Sequence, residues 1–139
     1  MSMDKKIALS LLDEGCTCAM IKGETLLRST RRGVAPLLEW LQSGADCRGA
    51  FAADKVVGKA AAYLYVLLNV REVYAKVLSE AAEEVFLRFG IPYTYESRVA
   101  AIRNRDGTGF CPMEQAVWDT KEPQKAYEQI LQKLEELKK

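Results

Sequence analysis

The residues with the most chemical capacity in this sequence fall in two clusters. In Cys111-Pro112-Met113-Glu114 a thiol stands where a Gly-containing loop becomes a helix, and a carboxylate on the same first turn points back toward that helix end. Exposed N–H groups at such an end stabilise a thiolate, which can then serve as a nucleophile or a metal ligand. In Asp54, Lys55 and Lys59 a carboxylate and two ammonium groups stand at the head of an apolar run, and Gly58 leaves space beside them. At a helix start, backbone donors and lysines act together on an anion or a carbonyl. Each cluster also has a plain structural account: Asp54 as an N-cap with its lysines in water, and Cys111 as a buried thiol with Glu114 closing a cap.

Two further stretches could line a site. Asn104-Arg105-Asp106-Gly107-Thr108-Gly109, just before Cys111, collects polar side chains and flexible backbone, suited to a pocket wall or to a tight surface turn. Arg28-Ser29-Thr30-Arg31-Arg32-Gly33 precedes an expected helix and could hold phosphate through Arg31 and Arg32, or lie solvated. It lacks the aromatic interleaving of a nucleic-acid surface, and no Gly-rich turn matches a P-loop or dinucleotide fingerprint. Trp40, Tyr63, Tyr65 and Trp118 fall at spacings more typical of packing than of a pocket.

The 139 residues contain no histidine, which removes Ser-His-Asp and Cys-His catalysis, histidine zinc ligands and a histidine pH switch together. Proton transfer falls to Asp, Glu, Lys, Cys, Tyr or water. Twenty basic against 19 acidic residues leave a net charge of +1, no global field for nucleic acid or an anionic membrane. The apolar stretch AAAYLYVLLNV at 60–70 is far short of the ~20 residues that cross a bilayer, and the N-terminus lacks a signal peptide's apolar run. Cysteines 16, 18, 47 and 111 make no disulfide framework. A cytoplasmic protein with reduced cysteines is expected.

The elements that must position these groups can be read in order. Ile7, Ala8, Leu11 and Leu12 give a short helix over 5–12, and TCAMI at 17–21 with Thr25-Leu26-Leu27-Arg28 gives an antiparallel hairpin around Lys22-Gly23-Glu24. Pro36 opens a helix that Gly44 ends, and a central buried helix is predicted from Asp54 to Leu68. A strand over 72–78 is followed by a helix capped by Ser79 and stopped at Gly90, then a short strand over 91–95 and an irregular or briefly helical stretch to the Asp106-Gly107 turn. A short helix over 112–118 and an amphipathic helix over about 123–138 close the chain; the stripe Tyr127, Ile130, Leu131, Leu134 and Leu137 packs on the domain or on a second copy as a homodimer. The order favours one α/β domain spanning 1–139.

The segments RGVAPLLEWL at 32–41, ADKVVGKAAA at 53–62 and NRDGTGFCPMEQAV at 104–117 resemble the DUF1893 family, from about Leu12 through Trp118. That resemblance implies a three-layer α/β/α sandwich with a mixed sheet, a fold similar to cytidine deaminases. In those enzymes one helix carries a His or Cys ligand followed by a catalytic Glu, and a second begins with two cysteine ligands. The corresponding regions here are Ala53-Asp54-Lys55 and Cys111-Pro112-Met113-Glu114, where Cys111 keeps a ligand identity, Glu114 replaces the second cysteine, and Asp54 or Lys55 stands for the first ligand and the glutamate.

The resulting expectation is a deaminase-like domain without zinc-dependent deamination and without a cofactor or bound metal. It would take a small polar or nucleotide-like ligand through Lys59, Asn104, Arg105, Arg31 and Arg32, with Cys111, Asp54, Lys55 and Glu114 as the reactive set. The alternative is an enzyme using Cys111 as nucleophile, with a lysine lowering its pKa, or an Asp54/Cys111/Glu114 metal site for hydrolytic transfer or deamination.

Overall fold

The computed structural model describes residues 3–103, 109 and 111–138. Five strands form one mixed sheet: β1 (Cys18–Lys22), β2 (Thr25–Ser29), β3 (Phe51–Val57), β4 (Glu72–Ser79) and β5 (Tyr93–Val99), in the order β2-β1-β3-β4-β5. The first two make the expected hairpin, β1 runs antiparallel to β3, and β3, β4 and β5 are mutually parallel. Parallel neighbours need helical crossovers. These are α3 (Lys59–Leu68) and α4 (Glu80–Phe89).

The sheet is covered on both faces. On one, α1 (Met3–Asp13) sets Ala8 and Leu12 against Ile21, Phe51 and Ala53. On the other, Met20, Ala52, Val73 and Ala75 meet α2 (Ala35–Ser43), α3, α4 and α6 (Pro123–Leu137) in the main core. The arrangement is thus α/β/α-like. Most of the terminal stripe packs inside the domain: Ile130 of α6, with Ala126, is fully buried beside α3 and α5 (Pro112–Val117), Tyr127, Leu131 and Leu134 pack partly buried against the main core, and Leu137 is exposed.

Three expectations are corrected. The segment from Asp54 is strand β3 and not the start of the central helix, which begins only at Lys59 after Gly58. Asp54 is therefore no N-cap, and Lys55 and Lys59 are not one helical turn apart. DKVV reads as the start of that helix because it runs on into the helix formers Lys59-Ala60-Ala61-Ala62, and because a strand covered on both faces shows no alternation. The strand after Gly90 is also longer than expected, reaching Val99 through residues read as irregular. Tyr95 to Arg98 lie at the sheet's exposed edge, so neither burial nor periodicity marks them.

Elsewhere local signals act as read. Ser79 accepts a hydrogen bond from the Ala82 N–H at 3.1 Å while Gly90 takes the left-handed C-cap conformation of α4. Because Ser79 is buried, Ser79→Ala should cost about 1 kcal/mol, read as a lowered urea midpoint with an unchanged m-value.

Candidate functional site

The register gathers most of the candidate residues at one edge of the sheet. Cys18 faces Ser29 on one side and Asp54 on the other, so the start of β1, the end of β2 and the end of β3 lie together. The parallel strands end on this edge and α3 and α4 begin there. In open α/β sheets ligands bind outside such strand ends. Thr17 ties the edge laterally: its carbonyl accepts from the Lys55 N–H at 3.0 Å, and its hydroxyl donates to the Arg31 carbonyl.

Glu114 reaches this edge from α5. Its carboxylate does not cap its own helix; Oε2 accepts from the Lys59 N–H at 2.9 Å, with the Ala60 N–H as a further donor, and so closes the head of α3. A Cβ on Gly58 would lie 1.4 Å from Glu114 Oε1, 2.5 Å from its carboxyl carbon and 3.1 Å from Ile102 Cγ1. Gly58 is extended, so the position excludes a side chain through space and not through backbone conformation. Burial pushes the Glu114 carboxyl up to about 7, against the pull of the Lys59 and Ala60 N–H groups and the Lys59 ammonium.

Lys59 itself turns to the far end of α5. Its Nζ donates to the Trp118 carbonyl at 2.5 Å and stands 5.8 Å from the Trp118 ring centroid and 6.0 Å from that of Tyr63. Burial lowers its pKa, with Glu84 and Glu114 opposing. Cys111 precedes the opposite end of α5, about 9 Å away along a six-residue helix, and its N–H donates to the Ile102 carbonyl at 3.1 Å. Lys59, one of the two lysines expected to activate that thiol, thus commits its ammonium to Trp118 and Tyr63.

Asp54 lies beneath the edge in a polar trio that the sequence reading missed. The Tyr65 hydroxyl donates to Asp54 Oδ2 at 2.7 Å and stands 3.3 Å from Cys18 Sγ, all three residues being buried. Burial pushes Asp54 up to about 7; the Tyr65 hydroxyl, the Val56 and Lys55 N–H groups and the Cys18 thiol hold it back. Burial likewise raises Tyr65 and Cys18 well above their ordinary values, the Asp54 charge adding to it. A phenol in a buried helix made mostly of Ala, Leu and Val needs a buried partner, and that requirement was the available signal. Tyr63 satisfies the same requirement on the Thr120 carbonyl at 2.5 Å.

Among the described residues no three Cys, Asp or Glu side chains stand close enough to hold a metal, so Asp54, Cys111 and Glu114 do not form the alternative metal site. The four cysteines are free thiols. Arg31 pairs with Glu39 of α2 at 2.9 Å. Arg32 and Lys55 engage no side-chain partner among the described residues. Asn104 and Arg105 lie outside the described residues. A groove of about 440 Å³ lies at the opposite edge, between the C-terminal ends of α2 and α3, and none of the candidate residues line it.

Residues 6–134 match the family described as TM1506, a domain of unknown function, DUF1893. The chain belongs to the DUF1893 family. A crystal structure of a DUF1893 family protein, TM1506 from Thermotoga maritima, superposes with a TM-score of 0.88 over 96% of this chain and 92% of that one, at 24% sequence identity. At that identity the superposition shows that the two share the fold. No curated protein matches the sequence. In this DUF1893 chain no helix of the described residues is long and apolar enough to cross a membrane.

Proposed function

We propose that this DUF1893 domain binds a small polar, nucleotide-like ligand at the C-terminal edge of its sheet, as a deaminase-like binding domain without zinc chemistry. The observation that carries it is a pair of cations, Arg32 and Lys55, with no side-chain partner among the described residues; Thr17 bonds the Lys55 N–H and the carbonyl of Arg31, the neighbour of Arg32. A guanidinium and an ammonium beside the strand ends suit the phosphate or carboxylate of such a ligand. Glu114, bonded to the Lys59 N–H at the head of α3, and Cys111 at the start of α5 complete the proposed set.

Calorimetric titration of the protein with nucleobases, nucleosides and their mono- and diphosphates tests the proposal. A phosphorylated member should bind, and Arg32→Ala or Lys55→Ala should each weaken it about tenfold, equivalent to about 1.4 kcal/mol. Failure of the whole panel to bind, affinity undiminished in both variants, or zinc-dependent ammonia release from the bases would overturn it.

A further inference from the structure

We propose that Glu114 is a protonation-controlled latch between α5 and the head of α3, seated in the notch that Gly58 leaves open. Three features build it. The notch has the shape of a carboxyl, since any side chain at 58 would overlap Oε1. The contact joins segments 55 residues apart, so it fastens the C-terminal arm to the β3–α3 corner. Glu114 is buried, although its partners are main-chain N–H groups that water could serve equally well.

A neutral carboxyl accepts those N–H bonds with little desolvation cost, whereas a carboxylate in the same dry notch loses its hydration. The Lys59 ammonium is the charge that favours the ionised form, and it is committed to the Trp118 carbonyl and to the rings of Tyr63 and Trp118. Around that ammonium, Glu84 and Arg88 of α4 act in opposite senses, and Asp119 beyond α5 adds a third charge. The buried position of Glu114 holds its proton to about pH 7, so the latch works near neutrality. Ionised, the side chain swings to water and uncovers the Lys59 and Ala60 N–H groups. The rest of the arm stays docked, because the Trp118, Thr120 and Lys121 carbonyls remain bonded to Lys59, Tyr63 and Arg88. The latch operates whether or not the edge binds a ligand.

Amide hydrogen exchange by NMR on the whole chain, without added ligand, reads the latch directly. Protection factors of the Lys59 and Ala60 amides, corrected for intrinsic exchange, should fall about tenfold between pH 6 and pH 8. Glu114→Gln, which stays neutral, should hold them flat, and Gly58→Ala, which expels the carboxyl, should keep them low at every pH. The Glu114 side-chain carbon should titrate with a midpoint near 7. Flat protection in the unaltered protein, an equal fall in Glu114→Gln, or a midpoint near 4 to 5 overturns the proposal. If Gly58→Ala does not fold, the Gln variant and the titration decide it.

Discussion

Acidifying the protein from pH 8 to pH 5 is expected to stabilise it, opposite to the behaviour of a fold whose carboxylates are mainly salt-bridged. Asp54 and Glu114 are both raised by burial to about 7, from ordinary values of 3.8 and 4.5. Between those limits the folded chain holds protons that the unfolded chain has released, so stability falls as pH rises, by roughly 1 kcal/mol per pH unit for each carboxyl. The gain is complete below about pH 4 and lost above about pH 7. Its full size is on the order of 3 kcal/mol for each group, less where Glu114 leaves its notch and escapes the cost of burial.

Carboxylates paired in the folded chain limit the effect at the acid end. The Tyr93 hydroxyl and the Arg98 guanidinium hold Glu83 below its usual value, so its contribution is present above the unfolded value and is lost as pH falls through the folded one. The stability maximum should therefore lie near pH 4 to 5. Urea unfolding at pH 5, 6, 7 and 8 checks this: the midpoint should fall steadily, and Asp54→Asn and Glu114→Gln should each remove about half of the slope. A midpoint that is level or rises toward pH 8 would show that neither carboxyl is held neutral by the fold.

The sequence made legible the elements whose signals are local. Helix α4 was readable because Ser79 and Gly90 mark its ends within a dozen residues, and the hairpin because Gly23 stands between two short apolar runs. Strand β3 was not, since its second half runs through Gly58 into an Ala-rich helix and its burial on both faces erases alternation. The same misreading displaced the site: with Asp54 placed on a helix, its carboxylate seemed to be a cap beside two lysines, whereas it faces Tyr65 from a strand. Glu114 reads from sequence either as a reactive group or as a cap on its own helix, whereas its carboxylate closes the head of α3. A preference for N–H groups is a local property, but which helix supplies them depends on a contact across the chain.

Replacing Tyr65 by Phe should destabilise the protein by an amount that depends on pH. The phenol donates to Asp54 Oδ2 at 2.7 Å and meets Cys18 Sγ at 3.3 Å, all three residues being buried. Phe keeps the ring and its packing against Phe86, so the change isolates the hydroxyl. At pH 5.5 Asp54 is neutral, and the loss is one uncharged hydrogen bond, about 1 kcal/mol. At pH 8 Asp54 is ionised and the same bond is charge-assisted, so the cost should approach about 3 kcal/mol. The sign follows from the hydrogen bond favouring the ionised carboxyl: without it Asp54 keeps its proton to higher pH, and the variant falls further below the unaltered protein as pH rises. Tyr63→Phe is the control, because its hydroxyl donates to the uncharged Thr120 carbonyl and should cost the same at both pH values. Urea curves for the two variants at pH 5.5 and pH 8 separate the cases. An equal cost for Tyr65→Phe at both would mean that Asp54 does not change charge in this range, and the trio would then be a fixed structural link between β1, β3 and α3.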